Sequence, residues 1–361
     1  MSVKEVSAAG TSIWLDDLSR AKISGTDPHS LPARIASSGV VGVTTNPSIF
    51  SAAISGAAEY SADIAALQGS TVDEVVKKLT TDDVRRACDL FADIYASTKG
   101  VDGRVSIEVD PRLAHDTEGT IAAGKELWKI IDRPNVMIKV PATIEGLPAI
   151  TELIAAGISV NVTLIFSVKR YGQVIDAYMQ GIERCENPAT VHSVASFFIS
   201  RIDSSVDALL KANGSTEATA MLGKAAIANA HLAYQLFEEK FSSSKWQGLA
   251  AKGANKQRPL WASTGVKDPA YPDTQYVVEL VAPETVNTMP QSTLDALIDH
   301  GIVRGNTISG KYAEAIAVLN GLSALGISLD QVTTDLEIDG VKKFAQAWNE
   351  LLANVKAAQQ S

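Results

Sequence analysis

The chain has 361 residues, of which 46% are hydrophobic and 20% are charged, with a formal net charge of -9 and a sequence pI of about 5.2. This is the composition of an ordinary globular protein with a large core. It argues against nucleic acid as a partner, and no apolar run is long enough to span a bilayer. Residues 1–12 lack the basic and apolar segments of a secretory signal, so we expect a cytoplasmic protein.

Short apolar runs alternate with longer helical patterns along the chain. The runs that predict strands lie at 12–15, 39–43, 105–109, 136–140, 158–162, 191–195, 260–263 and 285–288. They are rich in β-branched residues, and their apolar positions do not alternate strictly with polar ones. This pattern is typical of parallel strands that are covered on both faces.

Helical signals fill the intervals between these runs. Thr71 followed by Glu74 is typical of a capping box at the start of a helix, and residues 226–241 predict another helix. The stretches 242–258 and 265–272 resemble surface connections. Near the C-terminus, residues at helical spacing predict an amphipathic helix that packs on the outside of the fold: Phe344, Trp348, Leu351 and Val355.

Eight predicted strands that alternate with helices favour an α/β fold, a closed (β/α)₈ TIM barrel with extra helices. We expect residues 1–361 to form this barrel as one domain, with the C-terminal helices packed on it. The alternative is an open doubly wound sheet, which requires a glycine-rich fingerprint after its first strand. The first predicted strand instead leads into Asp16 and Asp17 without a glycine, so the sequence favours the barrel.

Lys139 is the only charged residue in the apolar run 135–141. A buried ammonium is costly unless it is paired, and burial disfavours the charged form of an amine. A neutral amine can attack a carbonyl carbon, which makes Lys139 a candidate for Schiff-base formation. Because side chains alternate along a strand, Lys139 and Met137 share the face that would point into a barrel. The alternative is a lysine that reaches solvent or pairs with a carboxylate, and this run alone does not decide between them.

Further polar residues lie at or just after the carboxyl ends of the predicted strands, where the chemistry of a barrel collects. They are Asp16, Thr45, Asn46, Glu108, Asn161, Thr163, Ser196, Arg201 and Lys267. Taken singly, each has a structural explanation, such as a helix cap or an ion pair. Their convergence on one end of one barrel favours a catalytic site.

These residue types suit a retro-aldol reaction. A lysine Schiff base is an electron sink, and a nearby carboxylate can remove the hydroxyl proton whose loss starts carbon–carbon cleavage. Glu108 and Thr163 could hold the water that moves protons during Schiff-base formation. The other polar groups suit a sugar phosphate, with Asn46 and Ser196 for its hydroxyls and Arg201 and Lys267 for its phosphate.

Six segments resemble the transaldolase family. They are 13–16 (IWLD), 42–48 (GVTTNPS), 106–110 (SIEVD), 138–143 (IKVPAT), 157–164 (GISVNVTL) and 196–201 (SFFISR). The resemblance implies a (β/α)₈ barrel with the Schiff-base lysine, Lys139, on the fourth strand. It also implies that Asp16 is the general acid and base of carbon–carbon cleavage, and that Glu108 and Thr163 hold the catalytic water.

The resemblance further implies the substrate contacts Thr45, Asn46, Asn161, Ser196, Phe198, Arg201 and Lys267. One residue departs from the pattern, because many relatives carry an arginine where this chain has Lys267. The implied reaction, which belongs to the pentose phosphate pathway, moves a dihydroxyacetone unit. Its donor is sedoheptulose 7-phosphate or fructose 6-phosphate, and its acceptor is glyceraldehyde 3-phosphate or erythrose 4-phosphate. No metal or organic cofactor is implied, and both a monomer and a homodimer are compatible with the sequence.

Two other functions stay open at this point. A cleaving class I aldolase on a similar barrel, such as fructose 6-phosphate aldolase, would release the three-carbon unit instead of transferring it. The resemblance suggests that such enzymes carry Gln in place of Glu108 and Tyr in place of Phe198, so these two residues favour transfer. A barrel that only binds sugar phosphates would need neither a buried lysine nor Asp16.

Overall fold

The computed structural model describes residues 2–360, in which eight parallel strands close into a barrel. Each strand pairs with its neighbours in chain order, and the first strand also pairs with the eighth. The strands are β1 Thr11–Leu15, β2 Val40–Val43, β3 Arg104–Glu108, β4 Val136–Pro141, β5 Val160–Ile165, β6 Ser193–Phe198, β7 Gln257–Ala262 and β8 Thr285–Met289. This closed sheet confirms the predicted (β/α)₈ barrel and excludes the open sheet.

Helices follow the strands and surround the barrel. Within residues 2–360 they are α1 Ser2–Ala8, α2 Arg20–Ser24, α3 Leu31–Ser38, α4 Pro47–Ile54, α5 Ala58–Ala66, α6 Val72–Leu90, α7 Ala92–Ser97, α8 Thr117–Ile131, α9 Gly146–Ala155, α10 Val168–Arg184, α11 Ser200–Asn213, α12 Thr216–Thr219, α13 Ala225–Ser242, α14 Ser244–Ala250, α15 Gln275–Val278, α16 Gln291–His300, α17 Tyr312–Ala324 and α18 Leu329–Gln360. Short 3₁₀ turns lie at Pro111–Leu113 and Pro188–Thr190. No single helix in this range is long and apolar enough to cross a membrane, although α17 and α18 pass that test as a pair bent by 91°.

The capping box at the start of α6 is confirmed. The backbone N–H of Glu74 donates to Oγ1 of Thr71, and the backbone N–H of Thr71 donates to the Glu74 carboxylate. The surface connection predicted at 242–258 is wrong in part, because it contains α14. Ser243 caps that helix, and its buried side chains Trp246 and Leu249 hold it against the fold.

Several strand boundaries differ from the prediction by up to three residues, and the difference at β6 concerns the site. β6 ends at Phe198, three residues beyond the predicted end, so Ser196 lies inside the strand. β7 begins at Gln257, before the predicted start, because its polar first residues have partners at the lower end of the barrel, where the strands begin. There the side-chain amide of Gln257 donates to the hydroxyl of Ser193 at 2.9 Å.

The C-terminal helix α18 is amphipathic, with exposed residues along one side, and the end of the barrel on which it packs was not part of the prediction. It runs across the carboxyl end of the barrel and contacts α4, α6, α11 and β5. Its close approach depends on Gly340, where an added Cβ would lie 3.0 Å from Cδ2 of Leu164 on β5. The apolar face that the sequence pattern identified therefore packs mainly on neighbouring helices such as α4, and its residue Phe344 reaches the mouth of the barrel.

Candidate active site

Lys139 lies near the carboxyl end of β4, on the inward face of the barrel. Its side chain is almost entirely buried. Nζ of Lys139 donates to the backbone carbonyl of Thr45 at 3.0 Å and lies 3.4 Å from Oε2 of Glu108. The strand register explains this proximity, since Lys139 pairs with Glu108 on β3 and with Asn161 on β5. The neighbouring residues Ile138 and Val140 are fully buried in the hydrophobic core.

Glu108 is the carboxylate nearest to the lysine. Burial raises the pKa of Glu108 to about 7, an effect that Lys139 opposes and the negative charge of Asp16 reinforces. Apart from the ion pair with Lys139, Oε2 of Glu108 is buried and accepts no hydrogen bond from the described residues. A carboxyl group with such a pKa can both donate and accept a proton near neutral pH.

Asp16 follows β1 and is held by Thr44 after β2 and by Met289 at the end of β8. Oγ1 of Thr44 donates to Oδ1 of Asp16 at 2.6 Å and lies 2.6 Å from Oγ1 of Thr288. The backbone N–H of Asp16 donates to the carbonyl of Met289 at 2.9 Å. Burial raises the pKa of Asp16, whereas the positive charge of Lys139 and the Thr44 hydrogen bond lower it. The site therefore holds two carboxyl groups close to one buried amine.

A hydrogen-bonded network lies between the strands beneath the lysine. The amide of Asn161 donates to Oγ of Ser106 at 3.0 Å, and its oxygen accepts from Oγ of Ser196 at 2.7 Å. Oγ1 of Thr45 donates to the carbonyl of Ser106 at 2.7 Å. The fully buried Thr45 thus uses its hydroxyl inside the protein and its carbonyl on Lys139, and its contact with substrate stays a prediction.

Thr163 lies on the same face of β5 as Asn161, beside an irregularity in the strand. The register shifts between Val162 and Ile165, and the intervening Leu164 has a φ of 58°. Such bulges redirect side chains at the rims of barrels. Thr163 is fully buried, and its hydroxyl has no hydrogen-bond partner among residues 2–360. That hydroxyl is free to bind a water molecule or a substrate atom.

A cavity of about 250 Å³ opens at the carboxyl end of the barrel. Its lining includes the predicted residues Asp16, Asn46, Lys139, Ser196, Phe198, Arg201 and Lys267. It does not include Thr45, Glu108, Asn161 or Thr163. Eight further lining residues were not predicted as site residues, namely Thr44, Ser48, Ala262, Ser263, Gly265, Thr288, Pro290 and Phe344.

Asn46 has a divided role at the start of α4. Its side-chain oxygen accepts from the backbone N–H of Ile49 at 3.1 Å and caps the helix. The amide NH₂ group makes no hydrogen bond that the structure records, so it can donate to a ligand. Asn46 and Glu108 also line a second, mostly apolar cavity of about 230 Å³ beside Phe50 and Trp348.

Two cations, Arg201 and Lys267, line the cavity at the carboxyl end of the barrel. Arg201 lies in the first turn of α11, with its guanidinium 5.3 Å from the ring centre of Phe198. Burial lowers the pKa of Arg201, and the carboxylate of Asp339 opposes that effect. Nη1 of Arg201 is buried without a partner, and Lys267 is exposed in the loop after β7. Neither cation forms an ion pair within the described part of the chain, so both can bind an anion.

Sequence reasoning missed some of these residues for identifiable reasons. Thr44 and Thr288 occur at strand ends, which was a usable signal, but two threonines do not by themselves indicate a hydroxyl pair that holds Asp16. Phe344 gave only a helical periodicity. No group of three or more His, Cys, Asp or Glu side chains between residues 2 and 360 is placed to hold a metal ion.

Comparison with known proteins covers almost the whole chain. Residues 13–355 match the family model described as Transaldolase/Fructose-6-phosphate aldolase. The chain is 57% identical to a protein named Transaldolase from Acidothermus cellulolyticus, over 97% of this chain and 95% of that protein. It is 57% identical to a Transaldolase from an Arthrobacter species (98% and 96% covered) and 56% identical to one from Mycolicibacterium smegmatis (96% and 94% covered).

Proposed function

The chain belongs to the transaldolase/fructose-6-phosphate aldolase family, and we propose that it is a transaldolase that works through a Schiff base on Lys139. One observation carries this proposal. A buried amine, Nζ of Lys139, lies 3.4 Å from the carboxylate of Glu108 and within electrostatic reach of Asp16. An amine that attacks a ketone needs a partner that carries its protons, and two carboxyl groups can meet that need.

The first half of the reaction forms and breaks bonds to the donor. The nitrogen of Lys139 attacks the ketone carbon C2 of a ketose phosphate, and the C2 oxygen leaves as water with protons that pass through Glu108. Asp16 then removes the proton of the C4 hydroxyl, and the C3–C4 bond breaks as its electrons move to the iminium. The aldose phosphate departs, and a three-carbon enamine stays on Lys139.

The second half reverses these steps on a different aldehyde. The enamine carbon attacks the carbonyl carbon of the acceptor, and Asp16 returns its proton to the new hydroxyl. Water then adds to C2, the C2–N bond breaks, and the amine of Lys139 is restored. Glu108, with a pKa of about 7, can pass the protons of both the departing and the entering water. The buried hydroxyl of Thr163 has no hydrogen-bond partner among the described residues, so it can help to hold that water.

The substrate class follows from the lining of the cavity. Arg201 and Lys267 suit a phosphate, and Asn46 and Ser196 offer polar groups to sugar hydroxyls. We propose sedoheptulose 7-phosphate or fructose 6-phosphate as donor, and glyceraldehyde 3-phosphate or erythrose 4-phosphate as acceptor. Because lysine binds phosphate as a point charge, we expect Lys267 to contribute less than Arg201.

The direct test supplies fructose 6-phosphate with and without erythrose 4-phosphate. A transaldolase forms sedoheptulose 7-phosphate when the acceptor is present and little free dihydroxyacetone when it is absent. Release of free dihydroxyacetone at a comparable rate without acceptor would instead identify a cleaving aldolase. Glu108 and Phe198 favour the first result, since the sequence resemblance associates Gln and Tyr at these positions with cleavage.

The wider context is also a proposal. We infer that residues 1–361 act as one barrel domain, in the cytoplasm and in the pentose phosphate pathway, as a monomer or a homodimer. The support is similarity over nearly the full length to relatives named Transaldolase.

A further inference from the structure

Phe344 reaches the substrate cavity from the C-terminal helix rather than from a barrel loop. Its ring centre lies 5.6 Å from Nζ of Lys139, and only 6% of the residue is exposed. It lines the same cavity as Asp16 and Arg201. The reaction described above assigns no role to this ring.

The packing of α18 fixes the position of the ring. At Gly340, one turn before Phe344, an added Cβ would lie 3.0 Å from Cδ2 of Leu164 and 3.5 Å from Cε2 of Phe166. Two turns after Phe344, Leu351 is fully buried. The helix is therefore in tight contact on both sides of Phe344, and the ring is held over the lysine rather than hinged above it.

The ring differs in kind from the other groups near the lysine nitrogen. The backbone carbonyl of Thr45 and the carboxylate of Glu108 are oxygen ligands, and they can exchange hydrogen bonds or protons. A phenyl ring can do neither of these things. It can exclude water, and its face is compatible with a cationic nitrogen at this distance.

We propose that Phe344 decides between transfer and hydrolysis of the three-carbon intermediate by keeping water, the source of a proton for C3, away from the enamine on Nζ of Lys139. This inference rests on the proposed Schiff base and adds a specificity-determining residue to it. An apolar side chain of sufficient size is what the position requires.

The two fates of the intermediate first differ at C3, which bonds either to the acceptor carbon or to a proton. In transfer, the C3 electrons of the enamine form a bond to the acceptor aldehyde carbon, and the aldehyde oxygen takes a proton from Asp16. In hydrolysis, C3 takes a proton instead, water adds to C2 of the resulting iminium, and the C2–N bond breaks. That route releases dihydroxyacetone and returns the electron pair to the lysine nitrogen. Both routes later need water at C2 to free Lys139, so only a cover that keeps water from protonating C3 slows the second route alone before the acceptor arrives.

The experiment compares Phe344→Ala and Phe344→Leu with the wild-type enzyme. Free dihydroxyacetone is measured with fructose 6-phosphate alone, sedoheptulose 7-phosphate is measured after addition of erythrose 4-phosphate, and the ratio of the two rates is the readout. We expect Phe344→Ala to raise this ratio about ten-fold and Phe344→Leu, which keeps apolar cover, to raise it less than about three-fold. Phe344→Val replaces the alanine variant if the latter does not fold.

Leu351→Ala is the matched control because it weakens the packing of α18 and leaves the ring in place. We expect it to lower the melting temperature without changing the ratio. If Leu351→Ala raises the ratio as much as Phe344→Ala does, or if Phe344→Ala leaves the ratio at the wild-type value, the inference is wrong. Reduction of wild-type enzyme with borohydride and fructose 6-phosphate tests the underlying function separately. Absence of a covalent adduct would refute the Schiff base itself, whereas an adduct with an unchanged ratio would refute only the role of Phe344.

Discussion

The two ends of the barrel both contain partly buried charges, and they use them differently. At the lower end, the carboxylate of Asp102 accepts hydrogen bonds from Ser12 at 2.7 Å, Trp14 at 3.1 Å and Arg258 at 3.0 Å. Arg258 also donates to Ser12 and to the carbonyl of Val101. Asp102 and Arg258 are therefore paired with each other and with the backbone, whereas the buried Arg104 at this end keeps Nη2 without a described partner.

At the upper end, charged groups stay incompletely paired. Oε2 of Glu108 and Nη1 of Arg201 are buried without a hydrogen-bond partner in the described chain, and so is the hydroxyl of Thr163. Unsatisfied buried groups cost stability, and they persist where a ligand or a reaction makes use of them. The comparison teaches that burial of a charge does not by itself mark a functional site in this barrel. The better mark is the convergence of an incompletely paired carboxyl group, guanidinium and hydroxyl on the end of the barrel that also holds the buried lysine.

The largest loss of turnover is expected from substitution of Lys139 at the upper end of the barrel. Lys139→Met removes the attacking nitrogen and keeps most of the apolar stem, so we expect turnover to fall by about 10⁴-fold or more. The fold should survive, because Glu108, with a pKa raised to about 7, can take up a proton once its partner is gone. Circular dichroism and thermal unfolding check the fold, and a coupled transaldolase assay checks turnover. Residual activity above about one per cent of wild type would contradict a reaction that depends on the Lys139 nitrogen.

Asp16→Ala tests the second step of the proposed reaction. Loss of a general acid and base reduces rates by about 10²- to 10⁴-fold, and we expect a fall in that range for cleavage. Formation of the Schiff base does not need Asp16, so borohydride should still trap a covalent adduct on Lys139. A variant that neither cleaves nor traps would assign Asp16 to an earlier step.

Glu108→Gln tests the raised pKa. Near neutral pH the wild-type rate should depend on pH, because Glu108 has a pKa of about 7, and the variant should lose this dependence along with about 10²-fold of its rate. The free energy of unfolding should also depend on pH. A carboxyl group whose pKa is raised on folding binds more protons in the folded state than in the unfolded state. Wild-type stability should therefore fall as pH rises from about 4.5 to 7, and the variant should fall less over the same range.

Substitutions of the proposed phosphate ligands, Arg201 and Lys267, should affect substrate binding more than the chemical steps. Arg201→Ala removes a buried cation from the cavity, so we expect KM for phosphorylated donors to rise about ten-fold or more with a smaller change in kcat. Lys267→Ala removes an exposed cation and should raise KM less. Equal losses in kcat and kcat/KM for Arg201→Ala would indicate that this arginine acts in the transition state.

The smallest effect on activity is expected at the lower end of the barrel. Arg258→Met breaks the ion pair between Arg258, whose side chain is 12% exposed, and Asp102, whose side chain is 13% exposed. The loss should cost about 2–4 kcal/mol of unfolding free energy. The turnover of the folded fraction should stay within about two-fold of wild type. Urea unfolding and the coupled assay measure the two quantities. A large loss of turnover at unchanged stability would show that the lower end contributes to the chemistry.

The sequence predicted much of the barrel because its signals are local. Lys139 in an apolar run and Asp16 after the first strand needed only strand periodicity and the rule that barrel chemistry collects at carboxyl ends. Phe344 could not be placed in this way. Helical spacing shows that its face is buried, but not against which part of the fold, and the partner of that face is a barrel residue far away in the chain.

Other departures have the same cause. The support that Thr45 gives to Lys139 runs through a backbone carbonyl, and no side-chain pattern reports a carbonyl. The positive φ at Leu164 occurs at a residue type that rarely adopts it, so the irregularity beside Thr163 leaves no mark in the sequence. Both features depend on contacts between strands rather than on local preference.

The most direct measurement of the central claim is borohydride reduction of the enzyme in the presence of fructose 6-phosphate, followed by mass spectrometry and peptide mapping. The account predicts one covalent three-carbon or six-carbon adduct per chain, located on Lys139, and loss of activity in proportion to it. An unmodified protein, or an adduct on a different lysine, would contradict it.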